Sequence, residues 1–353
     1  MRHLRTYRLF ESIRSLSGNQ RKFLDKYTKG TWTLNPTTGE VDVDGDFDCS
    51  VSRLQSFNGI KFGKVSGSFK CTRNLMTSLE GCPHTVGEDF ECSVNKITSL
   101  EGGPKTVGGT FSCQNSPSLT SVFGAPETVG GSFHCLLNSI ESLEGLPENM
   151  SVGMNFDCSY NKLTSLVGAP KIIGGEFRCI GNNDLKSLEG APQTVGGDFH
   201  CSRSGLITLE GGPKTVGGTF NCSDNYIRNL KGAPETVGGD FLWTRGSDPG
   251  ASLEGAPETI KGKFVTSDWQ VPAGKWSIGT LMNIFFTGTP EEKRIVSPLV
   301  NLEKIQQKVD ENPEKMLVNL KDHLKNPYLQ GLKWPQHLDR EKGILSDLGD
   351  IGL

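Results

Sequence analysis

The sequence has no long hydrophobic run and no excess of charge of either sign. Its 37 lysines and arginines nearly balance its 40 aspartates and glutamates, and the formal net charge is −3. The longest apolar clusters, such as Leu281 to Phe286, are far shorter than the about 18 residues of a membrane span. We therefore expect a folded protein that neither spans a membrane nor recruits nucleic acid through a basic field.

Motifs of catalysis and metal binding are missing as well. The chain contains no P-loop, no His-Glu-x-x-His pair and no nucleophile elbow. Its six histidines are scattered, and its ten cysteines lack the close spacing of a zinc site. The run Asp42 to Asp48 imitates a calcium loop, but Arg53 stands where the last ligand, a glutamate, belongs. We expect no enzyme, no metal, no other cofactor and no small-molecule ligand.

Glycine, by contrast, is abundant, with 44 residues among 353, and it belongs to a repeat. The consensus V-G-G-x-F-x-C-S-x-N-x-L-T-S-L-E-G-A-P-x-T is clearest from Val195 to Gly239, and its phenylalanines are 21 to 23 residues apart. Two altered copies are centred on Phe241 and Phe264. The complete Phe-x-Cys pairs are Phe47/Cys49, Phe69/Cys71, Phe90/Cys92, Phe111/Cys113, Phe133/Cys135, Phe156/Cys158, Phe177/Cys179, Phe199/Cys201 and Phe220/Cys222.

The alternation of apolar and polar residues in G-x-F-x-C-S is typical of a strand with one buried face, so Phe and Cys are predicted to point inward. The asparagine three residues after most cysteines should form a buried ladder between neighbouring coils. E-G-A-P breaks any longer helix, and the two glycines of Val-Gly-Gly tolerate positive φ. We predict an extended or single-turn return limb.

A flat coil of about 21 residues can bury its few apolar side chains only against identical neighbours. The sequence therefore predicts a mainly β repeat solenoid of about eleven coils that form one parallel sheet. We assign residues 41–274 to this solenoid. Residues 1–40 should form a basic amphipathic helix and a hairpin that cap one end, and residues 275–353 a small helical cap or docking region.

The residues at the two ends carry these cap predictions. Residues 1–30 contain eight basic and two acidic residues, and Leu4, Tyr7, Phe10 and Ile13 form an apolar stripe at helical spacing. T-W-T-L-N-P-T-T-G-E-V-D-V then predicts strand, turn and strand. Helix starts are predicted at Thr289-Pro290, Asn312-Pro313 and Asp339.

The unit F-x-C-S-x-N-x-L-T-S-L-E-G-A-P-x-x-V, over about residues 41 to 266, resembles the short bacterial leucine-rich repeat L-x-V-S-x-N-x-L-x-S-L-P-x-L-P-x-x-L. This chain places Phe and Cys where that family favours Leu and Val, and Glu-Gly where it favours Leu-Pro. Secreted effectors with similar repeats add a cysteine-dependent ubiquitin-ligase domain. The region after Thr266 has no cysteine, so that activity is not expected.

The termini carry a second resemblance. The leader Met1 to Glu11 and the tail D-L-G-D-I-G-L, Asp347 to Leu353, are similar to those of uncharacterised repeat proteins of large tailed bacteriophages. This resemblance implies a setting, the cytoplasm of an infected host cell or the virion, more than an activity. The arginines of the leader are spread through it, which is not typical of a secretory signal.

Nine cysteines occupy one coil position and should form a column with neighbours about 5 Å apart. Zinc binding, disulfides between coils and buried thiols are the three possible interpretations. Zinc ligands would need to converge, and disulfides would leave one of nine cysteines unpaired. The pattern favours buried thiols that act as small apolar side chains in a reducing compartment.

The residues on either side of each phenylalanine form an open strand face with eight acidic and three basic side chains. Such a face suits a basic partner segment, although it could serve solubility alone. The sequence thus predicts a non-enzymatic protein-interaction scaffold that binds a phage or host protein through this face, its terminal helices or both. The alternatives are a virion structural or head-associated protein and an enzyme hidden in the C-terminal helices. The candidate binding residues are Asp46, Asp48, Asp89, Glu91, His134, Asp157, Glu176, Arg178, Asp198, His200 and Asp240.

Overall fold

A computed structural model describes residues 16–244, 255–266, 270–271, 302–311, 313 and 333 of the chain. Its described helices are α1 (Gly18–Tyr27) and α2 (Leu302–Glu311). Between them the chain winds through parallel coils of 21 to 23 residues, as the phenylalanine spacing requires. The predicted mainly β, parallel solenoid is confirmed.

Each coil contributes one strand that contains its phenylalanine, and these strands pair in register with phenylalanine opposite phenylalanine. We call the resulting ladder the Phe ladder. Its strands are β2 (Val41–Asp48), β4 (Phe69–Lys70), β6 (Phe90–Glu91), β8 (Phe111–Ser112), β10 (Phe133–His134), β12 (Phe156–Asp157), β14 (Phe177–Arg178), β16 (Phe199–His200), β18 (Phe220–Asn221), β20 (Phe241–Trp243) and β22 (Phe264–Thr266).

A second ladder of strands precedes the glycines, at the Thr-Val of each coil, where the sequence predicted no separate strand. The break in this ladder lies between β11 and β13, and the strands after it count as a separate five-stranded sheet. The strands are β3 (Phe62–Val65), β5 (Thr85–Val86), β7 (Thr106–Val107), β9 (Thr128–Val129), β11 (Ser151–Val152), β13 (Ile172–Ile173), β15 (Thr194–Val195), β17 (Thr215–Val216), β19 (Thr236–Val237) and β21 (Thr259–Ile260).

The core is a column of eleven stacked phenylalanine rings, from Phe47 to Phe264. Neighbouring ring centroids are 5.1 to 5.7 Å apart and the ring planes differ by 5° to 23°. All eleven side chains are buried, and so are the cysteines two residues after them. The in-register pairing of the strands imposes this stacking, because it places identical side chains one strand spacing apart, about 4.8 Å.

Buried asparagines hold the turns that follow the Phe ladder. The Nδ2 group of Asn161 donates to the carbonyl oxygens of Cys135 and Cys158, both at 3.0 Å, and its Oδ1 accepts the N–H of Ile140 at 3.0 Å. Equivalent bonds are made by Asn74, Asn95, Asn138, Asn182 and Asn225. Each asparagine thereby joins two coils, which confirms the predicted ladder.

The glycines of Val-Gly-Gly serve close packing and not positive φ, so that part of the prediction was wrong. A Cβ on Gly108 would overlap the carbonyl oxygen of Gly87 in the preceding coil. Positive φ occurs instead at the glycine of E-G-A-P, for example 87° at Gly190. The backbones of neighbouring coils approach closely there, so a side chain at Gly108 would require the backbone to shift.

Antiparallel strands border both ends of the Phe ladder. The predicted hairpin is present, since β1 (Thr28–Leu34) pairs with β2, and β23 (Gln270–Val271) pairs with β22. Phe23 and Tyr27 of α1 lie against the first ring of the column, with centroids 5.9 and 6.2 Å from Phe47.

Several predicted cap features lie outside the described residues. These are the apolar stripe within residues 1–15 and the helix starts at Thr289, Asn312 and Asp339. Helix α2 was not among the predicted starts.

Removing one ring from the column should be costly. Phe177→Ala should lower the free energy of unfolding by roughly 3 to 5 kcal/mol, because it leaves a cavity between three coils. Tyr226→Ala is the matched control, since that ring is 72% exposed and its loss should cost less than about 0.5 kcal/mol. Urea denaturation of both variants measures the difference, and equal costs would contradict the buried column.

Candidate interaction surface

The eleven predicted binding residues lie on either side of the Phe ladder, and all are half-buried. We call the residues before each phenylalanine the leading column and those after it the trailing column. The predicted residues in the leading column are Asp46, Asp89, Glu176, Asp198 and Asp240. Those in the trailing column are Asp48, Glu91, His134, Asp157, Arg178 and His200.

Aspartates of the leading column hydrogen-bond the next coil. The Oδ1 atom of Asp89 accepts the backbone N–H of Thr110 at 2.8 Å, and that of Asp198 accepts the N–H of Thr219 at 2.7 Å. Asp46 and Asp240 make the same bond, and Asn155 does so with a neutral amide at 2.9 Å. These side chains are thus part of the framework between coils.

The backbone needs these acceptors because its hydrogen bonds change direction here. The N–H of Gly109 donates to Glu88 O in the preceding coil, whereas the N–H of Phe111 donates to Ser132 O in the next coil. Thr110, between them, has no carbonyl in line with its N–H, and the side chain of Asp89 takes that role. Other coils use a hydroxyl, for example Ser68, Ser132 and Thr219, at 3.3 to 3.4 Å.

The leading column therefore has a structural role besides its place on the open strand face. One carboxylate oxygen of each aspartate is bound to the next coil, while the half-buried side chain keeps its second oxygen outside that bond. The sequence did carry a signal for this role. Nine of the eleven residues before phenylalanine are Asp, Asn, Ser or Thr, the residues whose short side chains bond nearby backbone groups.

Acids of the trailing column bind locally. Asp157 accepts the N–H of Ser159 at 2.9 Å, and Asp48 accepts that of Ser50 at 3.0 Å. Glu91 accepts a hydrogen bond from Lys70 at 2.8 Å, and this bond raises the pKa of the lysine.

Two further contacts join side chains of neighbouring columns. The Nε atom of Arg178 donates to Glu176 at 2.8 Å, and Nε2 of His200 lies 3.5 Å from Asp198 Oδ2. His134 and Asp157 are opposite each other in the register of adjacent strands. The two histidines lie three coils apart and do not form a common site.

The remaining negative charge is concentrated on a few aspartates. Within the described ranges, Asp89, Asp157 and Asp240 have no lysine, arginine or histidine nitrogen within 4.0 Å, in contrast to Glu91 and Glu176. Lys70 and Arg178 of the same face are each paired with a glutamate.

The ten cysteines are buried free thiols. Burial raises the pKa of each of them, to about 12 for Cys49. Several donate to carbonyl oxygens of the next coil, such as Cys158 to Arg178 O at 3.3 Å. Among the residues that the structure describes, no group of three or more His, Cys, Asp or Glu side chains could hold a metal ion, and no helix could span a bilayer.

Comparisons of the chain with protein families, with curated proteins and with solved structures found no match. The likeness to short bacterial leucine-rich repeats is therefore one of repeat pattern alone.

The framework role of the leading column can be measured. Asp198→Ala should lower the free energy of unfolding by about 1 kcal/mol, because the N–H of Thr219 loses a charged acceptor on a half-exposed surface. Asp198→Asn should cost less than about 0.5 kcal/mol, since Asn155 makes this bond naturally. Asp184→Ala, at an exposed aspartate, is the control for loss of charge alone. Chemical denaturation measures these free energies of unfolding. If Asp198→Ala cost no more stability than Asp184→Ala, the framework role of the leading column would be wrong.

The thiols should be free and protected. Because thiolates are the reactive form and burial raises the pKa of each thiol, the native protein should react slowly with a maleimide. After unfolding without reductant, all ten cysteines should titrate. Fewer than ten titrated thiols would reveal disulfides. Fast labelling of the native protein would contradict the burial of the cysteines.

Proposed function

We propose that this chain is a non-enzymatic scaffold that binds a basic segment of a partner protein through the acidic strand face. The supporting observation is a set of three aspartates, Asp89, Asp157 and Asp240, whose carboxylates have no cationic nitrogen within 4.0 Å in the described part of the chain. A rigid ladder spaces these charges at multiples of the strand separation, about 4.8 Å. Charge complementarity of this kind favours rapid association and selects partners of opposite sign.

The non-enzymatic part of the proposal rests on the sequence, which contains no recognisable nucleophile, acid–base pair or cofactor motif. Many of the side chains that could take part in catalysis also have structural roles. The cysteines are buried, and the aspartates of the leading column bind backbone. The terminal helices remain a second predicted route to a partner.

The phage setting, with a protein partner from phage or host, stays a prediction. It depends on Met1 to Glu11 and Asp347 to Leu353, which lie outside the described residues. The alternative of a virion or head-associated structural protein predicts fixed stoichiometry in purified particles. An interactor in the host cytoplasm predicts absence from them.

The strand face can be tested without disturbing the fold. The triple variant Asp89→Asn, Asp157→Asn and Asp240→Asn removes three charges and keeps every amide-compatible hydrogen bond, since Asn155 and Asn221 occupy equivalent positions naturally. Fluorescence anisotropy with labelled octalysine at low salt should show binding at least about 5-fold weaker than wild type, and the difference should shrink at high salt.

The matched control removes the same charge from another side of the coil. Glu80→Gln, Glu189→Gln and Glu210→Gln lie at the exposed glutamate of E-G-A-P and should weaken octalysine binding less than about 2-fold, because they lie off the strand face. Equal weakening by both triple variants would show that only overall acidity matters, and the proposed face would then be wrong.

A further inference from the structure

Three exposed apolar residues stand where the repeat otherwise carries a polar side chain. Phe123 is 58% exposed and Val167 is 39% exposed, both at the glutamate of E-G-A-P, and Ile172 is 70% exposed at the threonine before Val-Gly-Gly. Six of the nine coils have glutamate at the first position, and seven have threonine at the second. Apolar replacements on an otherwise polar flank point to a binding surface.

Two of the three residues lie in one column because the coils stack in register. Phe123 and Val167 occupy one column two coils apart, or about 10 Å, with Glu144 in the coil between them. Ile172 follows Val167 in the same coil by five residues. We call the side chains of Phe123, Glu144, Val167 and Ile172 the mid-solenoid patch.

The backbone is irregular at the same place. From Pro147 to Ser151 the coil uses two residues more than the usual Pro-x-Thr, and the Thr-Val ladder is broken just after it, between β11 and β13. A cavity opens beside the Phe123 ring, and its lining includes Lys105, Glu127, Glu144 and Glu148. The insertion therefore creates room for a side chain next to an exposed ring.

The fold itself does not need these apolar side chains. The backbone N–H of Phe123 donates to Ser121 Oγ at 3.1 Å, and Val167 makes the same bond to Ser165. Glu144, the consensus residue, makes it to Ser142 at the same distance. The local backbone hydrogen bond is thus the same with glutamate or with an apolar residue. The exposed apolar side chains must therefore be explained by something other than the backbone.

The charges around the patch indicate what covers it. Glu127 is paired with Lys105 at 3.8 Å, whereas Glu144 and Glu148 have no cationic nitrogen within 4.0 Å among the described residues. A second copy packed here about a two-fold axis would bring the two Glu144 side chains together, which is unfavourable. The occupant that fits is apolar and positively charged.

We infer that the mid-solenoid patch binds a peptide segment in which an aliphatic or aromatic side chain lies next to lysine or arginine. The apolar side chain enters the cavity beside Phe123, and the segment extends past Glu144 to Val167, two coils away. The cation lies over the ring of Phe123 and pairs with Glu144 or Glu148. This site is on a different flank from the strand face and does not depend on the function proposed for that face.

A randomised linear peptide library displayed on phage particles provides the probe. Selection on the full chain should enrich sequences that combine Lys or Arg with Leu, Phe or Trp, and a synthetic copy of an enriched peptide should bind in calorimetry. The double variant Phe123→Glu and Val167→Glu restores the repeat consensus, so it should keep the thermal midpoint of the parent. It should weaken that peptide at least about 10-fold although it adds negative charge, because the apolar anchor is lost.

Two controls separate this site from the others. Ile207→Thr and Tyr226→Ser remove exposed apolar residues elsewhere on the solenoid, and together they should leave the affinity unchanged. The triple variant of the strand face should also leave the affinity for the selected peptide unchanged, whether or not it weakens octalysine binding. Enrichment without a basic and apolar pattern, undiminished binding by the double variant, or self-association that this variant abolishes in sedimentation velocity would each overturn the inference.

Discussion

Each coil must satisfy its polar groups against the neighbouring coil at the spacing of a β-ladder, and this constraint governs the rest of the structure. At about 4.8 Å there is no room for water between coils and none for a Cβ at Gly108. The same spacing stacks the phenylalanine rings and gives each buried asparagine two coils to join. Nearly every repeated residue can be traced to that requirement.

The change in hydrogen-bond direction just before phenylalanine explains why the strand face is acidic. Thr110 and its equivalents need an acceptor from the preceding coil, and aspartate supplies a strong one. A surface built for this purpose carries these aspartates whether or not a partner uses it. Its capacity to bind cations depends on the second carboxylate oxygen and on which acids lack a basic neighbour.

The buried positions of such a regular solenoid tolerate few residue types. Departures from the repeat consensus are therefore informative about function mainly at surface positions. Phe123 and Val167 keep the backbone hydrogen bond of the glutamates they replace. The fold tolerates them without requiring them. The two-residue insertion after Pro147 and the interrupted ladder beside it place an opening next to these side chains. Regular coils thus provide the framework, and the irregular coil provides a distinct surface.

The sequence by itself determined the solenoid, the inward Phe and Cys columns and the asparagine ladder, because each follows from a period repeated many times. The acceptor role of Asp89 and Asp198 and the packing role of Gly108 were decided only by tertiary structure. The reason is that both depend on the offset between adjacent coils, which sets which N–H faces which oxygen. A repeat pattern predicts that the coils stack. The direction of each hydrogen bond depends on how the stacked coils are offset, which the pattern does not contain.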